Sequence, residues 1–177
     1  MQMKPIVLAA TMLAATAVSA AAQNPVSDAA RSNWNSVKKN IKESAELMPE
    51  ENYGFKPTKD VRSVADLLNH VAGASYEFCA SAKNEKAPFG EAAFEGKMTT
   101  RAEILKVTGD AIAYCDAAFA ALTDANAGDK VTEPFGGTGQ TTRIASLLGQ
   151  IGHDNEHYGN LVTYYRLKGL VPPSSRR

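Results

Sequence analysis

Apolar and polar residues are distributed along the chain with the spacing of four long amphipathic helices. In the first segment, "SDAARSNWNSVKKNIKESAELM", apolar side chains recur at three- and four-residue intervals from Ala30 to Met48. This spacing places them on one face of a helix. Comparable stripes run through "SVADLLNHVAGASYEFCASAK", through a segment from Thr99 or Thr100 to about Leu122, and through "TRIASLLGQIGHDNEHYGNLVTYYRLK".

Residues suited to capping precede each predicted helix, and long loops separate the helices. Short polar side chains accept hydrogen bonds from the free N–H groups of a helix's first turn. The candidate caps are Ser27 or Asp28, Ser63, Thr99 or Thr100, and Thr141 or Thr142. The links are longer than tight antiparallel turns require, and none has a convincing alternating strand pattern. The prediction is an all-α fold, a four-helix bundle with long crossover links.

The first 22 residues have the features of a signal peptide. Lys4 precedes the apolar run "PIVLAATMLAATAV", and small residues follow it in "SAAAQ". This order predicts cleavage after Ala22, with Ala20 as the alternative; an uncleaved membrane anchor is the competing interpretation. Residues 23–177 would then form a single domain, periplasmic or secreted, with no stable membrane insertion after leader removal.

The balance of positive and negative side chains does not indicate a polyanionic partner. The 19 Lys and Arg residues are matched by 19 Asp and Glu residues, and no long block of like charge occurs. Neither nucleic acid nor an anionic membrane surface is therefore expected as a partner. The partner that we expect is a small-molecule substrate.

Two of the three histidines, His153 and His157, stand four residues apart in "HDNEH". On a helix they share one face, where two imidazoles can bind one metal. A helical wheel places them away from the predicted inward face, on the same side as Gln150 and Tyr164. That inward face comprises Ile144, Leu147, Leu148, Ile151, Asn155, Tyr158 and Val162. The pair is thus either a surface feature or part of a polar cleft.

The charged neighbours of the histidines are expected to have roles outside the metal site. Asp154 and Glu156 flank the pair and are expected to point away from it into solvent. Asp66, one turn before His70, is expected to serve the N-terminus of the second helix rather than to orient that histidine.

The stretches "SVADLLNHVAGASYEF" and "IGHDNEHYGNLVTYYRLKGLVPPS" resemble the DinB-like (DinB/YfiT) superfamily. The most specific matches are N-H-V-A and H-D-N-E-H-Y-G-N-L. The resemblance implies an up-down-down-up bundle, in which one histidine of the second helix and an H-x-x-x-H pair of the last helix bind one divalent metal. These positions correspond to His70, His153 and His157, and the resemblance implies that two copies can pair.

A three-histidine site leaves coordination positions open, as catalytic sites do. Imidazole ligands suit zinc, nickel or iron, and the residues do not decide between these metals. The resemblance implies an enzyme that uses a low-molecular-weight thiol in a transferase or isomerase reaction. Metal-assisted hydrolysis is the rival for an exported protein, and a non-catalytic metal-binding or stress-related module is the alternative class. Gln150 and Tyr164 are the expected pocket-lining residues, whereas no general acid or base can be named.

Cys79 and Cys115 are the two cysteines of the chain. The family order makes the second and third helices parallel, which puts both cysteines at similar heights. A disulfide between them is then geometrically allowed in an exported protein, and two inert core thiols are the other interpretation.

Overall fold

The computed structural model describes residues 24–176, so the leader predicted over residues 1–22 lies outside the described part. Within it the chain forms four long helices: α1 (Pro25–Leu47), α2 (Val64–Lys83), α3 (Arg101–Ala121) and α4 (Arg143–Leu167). The prediction of an all-α four-helix fold is confirmed. No described helix is long and apolar enough to cross a membrane.

Three of the four helix starts follow the sequence prediction. Ser63 caps α2 by accepting from the N–H of Asp66, Thr142 caps α4, and Thr100 forms a reciprocal capping box with Glu103 at the start of α3. The prediction for α1 is wrong, because that helix is preceded by Asn24 and begins at Pro25 rather than after Ser27 or Asp28. Proline suits the first helical position, where its missing N–H would have no partner within the helix.

The helix directions follow the up-down-down-up order. Trp34 in the first half of α1 stacks on Phe119 near the end of α3, with ring centroids 4.8 Å apart. Tyr165 near the end of α4 donates to the carbonyl of Ser44 near the end of α1 at 3.0 Å. Helix α1 is therefore antiparallel to α3 and parallel to α4.

The helix α2 runs parallel to α3 and antiparallel to α4. The disulfide between Cys79 and Cys115 joins α2 to α3 at a Cα separation of 5.3 Å, with both cysteines fully buried. The antiparallel pairing with α4 brings the His70 region of α2 against the "HDNEH" turn of α4. The parallel pair requires the long α2–α3 link, which crosses the length of the bundle.

The link between α3 and α4 contains a short β-hairpin, contrary to the prediction of a link without strands. The strands β1 (Lys130–Thr132) and β2 (Gln140–Thr142) pair antiparallel, with Val131 opposite Thr141. Phe135 and Gly136 at the turn have φ values of 59° and 69°. Strands of three residues are too short to give an alternating pattern in the sequence.

Candidate metal centre

The three histidines of the chain come together between α2 and α4. His70 lies on α2, while His153 and His157 lie one turn apart on α4, and one ring nitrogen from each falls within 4.8 Å of the others. The Nε2 atoms of His70 and His153 are 3.1 Å apart. This cluster could hold a metal ion, because imidazole is a good ligand for divalent transition metals.

Burial keeps His70 and His157 in the form that binds metals. His70 and His157 are 4% and 8% exposed. Burial lowers the pKa of His70, with further lowering from Arg62 and His153. Burial likewise lowers the pKa of His157 to about 4, and the neighbouring His153 and His70 act in the same direction. A neutral imidazole has a free lone pair for a metal, so the donor set fits a divalent transition metal at neutral pH.

Acidic side chains from the α2–α3 link approach the Nδ1 side of the His70 ring, whereas His153 lies on its Nε2 side. The Oε1 of Glu95 lies 2.8 Å from His70 Nδ1, and the Oε1 of Glu91 lies 3.4 Å from the same atom. Glu95 also pairs with Arg62 at 3.3 Å. Sequence reasoning missed both glutamates, because nothing in a loop pattern shows which helix face the loop crosses.

Asp154 is buried beside the cluster, so its assignment to the solvated face is wrong. The residue is 1% exposed, and its carboxylate accepts a hydrogen bond from Gln150 Nε2 at 2.9 Å. Burial raises the pKa of Asp154 to about 6, against the opposing effects of His153 and Gln150. The other carboxylate oxygen lies 3.5 Å from His153 Nδ1, and neither of these two atoms has a hydrogen-bond partner among the described residues.

Of the two residues expected to line a pocket, the structure places one at a cleft and one in the interior. A polar cleft of about 570 Å³ adjoins the cluster at His157. Besides His157, its polar lining comprises Lys59, Asp60, Arg62, Glu156, Asn160 and Tyr164. Gln150 is instead fully buried and donates to Ser75 Oγ at 2.8 Å as well as to Asp154.

Three further side chains lie close to the histidines or on their helices. Glu156 is exposed, as predicted, and lines the cleft next to His157. Phe78 is only partly buried, and its ring centroid lies 5.7 Å from that of His153. Asp66 serves the α2 terminus as predicted, since its carboxylate accepts from the Ser63 hydroxyl at 2.7 Å.

The inward face of α4 differs from the helical-wheel prediction. Leu148 and Asn155 are exposed, whereas Gln150, Asp154 and His157 are buried. Helix α4 packs against both α1 and α2, so it buries an apolar face and an adjoining polar one. The spacing of Leu147, Gln150 and Asp154 at three and four residues is the signal that could have revealed the second face.

Comparison with known proteins identifies the family. The family model of the DinB superfamily matches residues 34–161. A DinB-like protein, YjoA, from Bacillus subtilis has a similar structure, with 21% identity, a TM-score of 0.65, and coverage of 87% of this chain and 99% of that one. A DinB-like protein from Bacillus cereus aligns at 15% identity and a TM-score of 0.67, over 82% of this chain and 95% of that one. Among curated proteins, no sequence matches the chain. The chain belongs to the DinB superfamily.

Proposed function

We propose that the chain is an exported metal-dependent enzyme, in which His70, His153 and His157 hold one divalent zinc, nickel or iron ion. The observation that carries the proposal is the convergence of three imidazoles, two buried and one half-buried, within 4.8 Å and directly beside a polar cleft. A metal on three imidazoles retains open positions, at which it lowers the pKa of a bound water or thiol.

The surroundings of the histidines support metal binding. The lowered pKa values of His70 and His157 leave both rings unprotonated at neutral pH. Gln150 holds the buried carboxylate of Asp154 behind His153. Asp154 therefore supplies negative charge close to the cluster without occupying the cleft.

The cleft favours an enzyme over a metal-binding module without turnover. Its volume of about 570 Å³ is enough for a small molecule beside His157. Lys59 and Arg62 give the lining positive groups for an anionic substrate, while Asp60 and Glu156 suit an amine. Tyr164 is fixed in the wall by its hydrogen bond to the carbonyl of Arg62 at 3.0 Å.

The substrate chemistry is proposed as thiol-dependent group transfer, with hydrolysis as the second candidate. A low-molecular-weight thiol carries the anionic and amine groups that this lining suits. Hydrolysis is favoured by the proposed export, because such thiols are mainly cytosolic. A homodimer of the exported chain is part of the proposal.

A cobalt-substituted protein tests the thiol chemistry. We expect added cysteine or glutathione to produce a thiolate-to-cobalt absorption band, which serine and the S-methylated thiol would not produce. If the thiols leave the spectrum unchanged while cobalt remains bound, the thiol-transferase proposal fails. Hydrolysis is then tested by screening esters and amides with the metal-loaded protein and with its His157→Ala variant.

A further inference from the structure

We infer that Glu95 is a positioning residue that holds His70 in its Nδ1–H tautomer, with the unprotonated Nε2 directed toward His153. An ionised carboxylate can only accept hydrogen bonds. The Glu95 oxygen at 2.8 Å therefore requires a proton on His70 Nδ1. The consequence for metal binding rests on the proposed function, whereas the tautomer itself does not.

The contact between His70 and His153 agrees with this assignment. Their Nε2 atoms lie 3.1 Å apart, and a hydrogen bond between them needs one donor and one acceptor. With its proton on Nδ1, His70 is the acceptor and His153 the donor. The same His70 lone pair is the one that a metal would use.

The α2–α3 link is fastened to α2 on both sides of His70. Before the histidine, Asp66 accepts from Gly96 N at 3.3 Å, and Asn69 Nδ2 donates to the Met98 carbonyl at 2.7 Å. After the histidine, Gly73 allows the backbone of the link to lie directly against α2, because a Cβ at this position would overlap the backbone carbonyl of Glu91. These contacts lie four residues before, one before and three after His70, so the link is held across the turn that carries the histidine.

Glu95 is better placed for this role than Glu91. The Glu91 oxygen is farther from His70 Nδ1, at 3.4 Å, and its side chain is 44% exposed. The Glu95 side chain is 27% exposed, and its other oxygen accepts from Arg62 Nε at 3.4 Å. Arg62 thus restrains the carboxylate that faces the histidine.

Nitrogen-15 NMR of the metal-free protein tests the tautomer directly. The chain has only three histidines, so the six ring nitrogens can be assigned with His→Gln variants. We expect the parent to show His70 as a neutral ring protonated on Nδ1. Glu95→Ala should abolish that preference, whereas Glu95→Gln should retain it because the amide oxygen still accepts. Glu91→Ala should leave it unchanged.

Metal affinity provides the second measurement. We expect Glu95→Ala to weaken zinc binding by roughly 10- to 100-fold, the usual effect of removing the partner of a metal-binding histidine. Glu51→Ala is the matched control, since Glu51 is exposed and its side chain makes no hydrogen bond or ion pair with a described residue.

A parent His70 found protonated on Nε2, or on both nitrogens at neutral pH, would overturn the inference whatever the variants do. A Glu95→Ala variant with an unchanged tautomer would also overturn it. If the parent binds no zinc, the proposed metal site fails, and the tautomer spectra still decide the assignment of Glu95.

Discussion

Gln150 allows a carboxylate to be buried inside the bundle. Its amide nitrogen donates to Asp154 at 2.9 Å and to Ser75 Oγ at 2.8 Å, and Ser75 in turn donates to the carbonyl of Val71. A buried acceptor that loses its donor bears the cost of desolvation without compensation. The short network therefore stabilises the region immediately behind His153.

Gln150→Leu should lower the free energy of unfolding by about 1–3 kcal/mol, because it leaves the Asp154 carboxylate without its donor. Combining it with Asp154→Leu should cost less than the sum of the single changes, since both polar partners are then removed. Urea denaturation of the two single variants and the double variant measures this coupling. Additive effects would show that the two side chains do not form a network.

Gly73→Ala should destabilise the protein by about 1–3 kcal/mol, the range for overpacking a tight contact. The added Cβ overlaps the Glu91 carbonyl, so the α2–α3 link must move. Gly109→Ala is the control, because its Cβ would meet nothing and alanine favours helix by about 0.5–1 kcal/mol. Thermal unfolding of both variants measures the difference in stability. Equal effects of the two substitutions would contradict the predicted overlap at Gly73.

The sequence predicted the residues of the candidate site unevenly. The histidines were accessible because their residue type and helical spacing are informative on their own. Glu95 could not be predicted, because it contacts His70 from a position 25 residues later in the sequence. Asp154 was misassigned because a charged residue is normally exposed, and only packing against α2 shows otherwise.

At the scale of elements, the N-terminus of α1 is held by the link that follows α3. The carboxylate of Asp124 accepts from Ser27 N at 2.8 Å and from Val26 N at 3.2 Å. These N–H groups have no partner within the helix, and a negative charge at this end of a helix is favourable. The hydrogen bond from Ser27 is the largest cause of the lowered pKa of Asp124.

The depressed pKa of Asp124 gives a definite sign for the effect of pH. The folded state binds fewer protons than the unfolded state near the ordinary pKa of 3.8. This stabilisation is therefore fully present above that pH, and it is lost as the pH falls through the lowered pKa of the folded state. Asp124→Asn should lower the melting temperature at neutral pH and reduce the parent's loss of stability in acid. Asp110→Asn, which removes a surface ion pair with Lys106, is the control. Parallel pH profiles for the parent and Asp124→Asn would contradict the assignment.

Helix starts and strands differ in how far the sequence determines them. Ser63, Thr100 and Thr142 were identified because capping depends on local hydrogen bonds. The start of α1 was misplaced, because Pro25 allows the helix to begin before the capping residues that looked suitable. The hairpin was missed because its strands are short and pair across a seven-residue turn.

At the scale of the whole molecule, the disulfide joins the two parallel helices α2 and α3. The half-cystines are separated by 36 residues, so the bond closes a loop that includes the crossing link. Closing a loop of this length is worth about 3–4 kcal/mol on the chain-entropy estimate. The bond is also the feature of the described structure that agrees best with the proposed export, since disulfides persist in oxidising compartments.

A double Cys79→Ala and Cys115→Ala variant should therefore unfold at a lower denaturant concentration and be insensitive to dithiothreitol. The parent should become less stable on reduction. Thiol titration of the denatured, unreduced parent gives an independent measurement, with no free thiols expected. Two titratable thiols in protein isolated from an oxidising compartment would refute the bond.

The overall topology was predicted more completely than the surroundings of the site. The apolar stripes indicated four helices, and the resemblance to the DinB superfamily implied the parallel pairing of α2 with α3. Residue spacing alone could not supply the directions, because links of this length allow a helix to return either way. The cleft beside His157 is lined by residues from two distant segments, and therefore appears only in the folded chain.

The central claim is that His70, His153 and His157 bind one metal ion, and elemental analysis tests it most directly. The protein, purified under metal-replete conditions, should carry about one divalent transition metal per chain, as a three-imidazole site would. His153→Ala should lose most of it, whereas Asn155→Ala on the exposed side of α4 should retain it. A parent without near-stoichiometric metal, or a His153→Ala variant that keeps the full amount, would contradict the account.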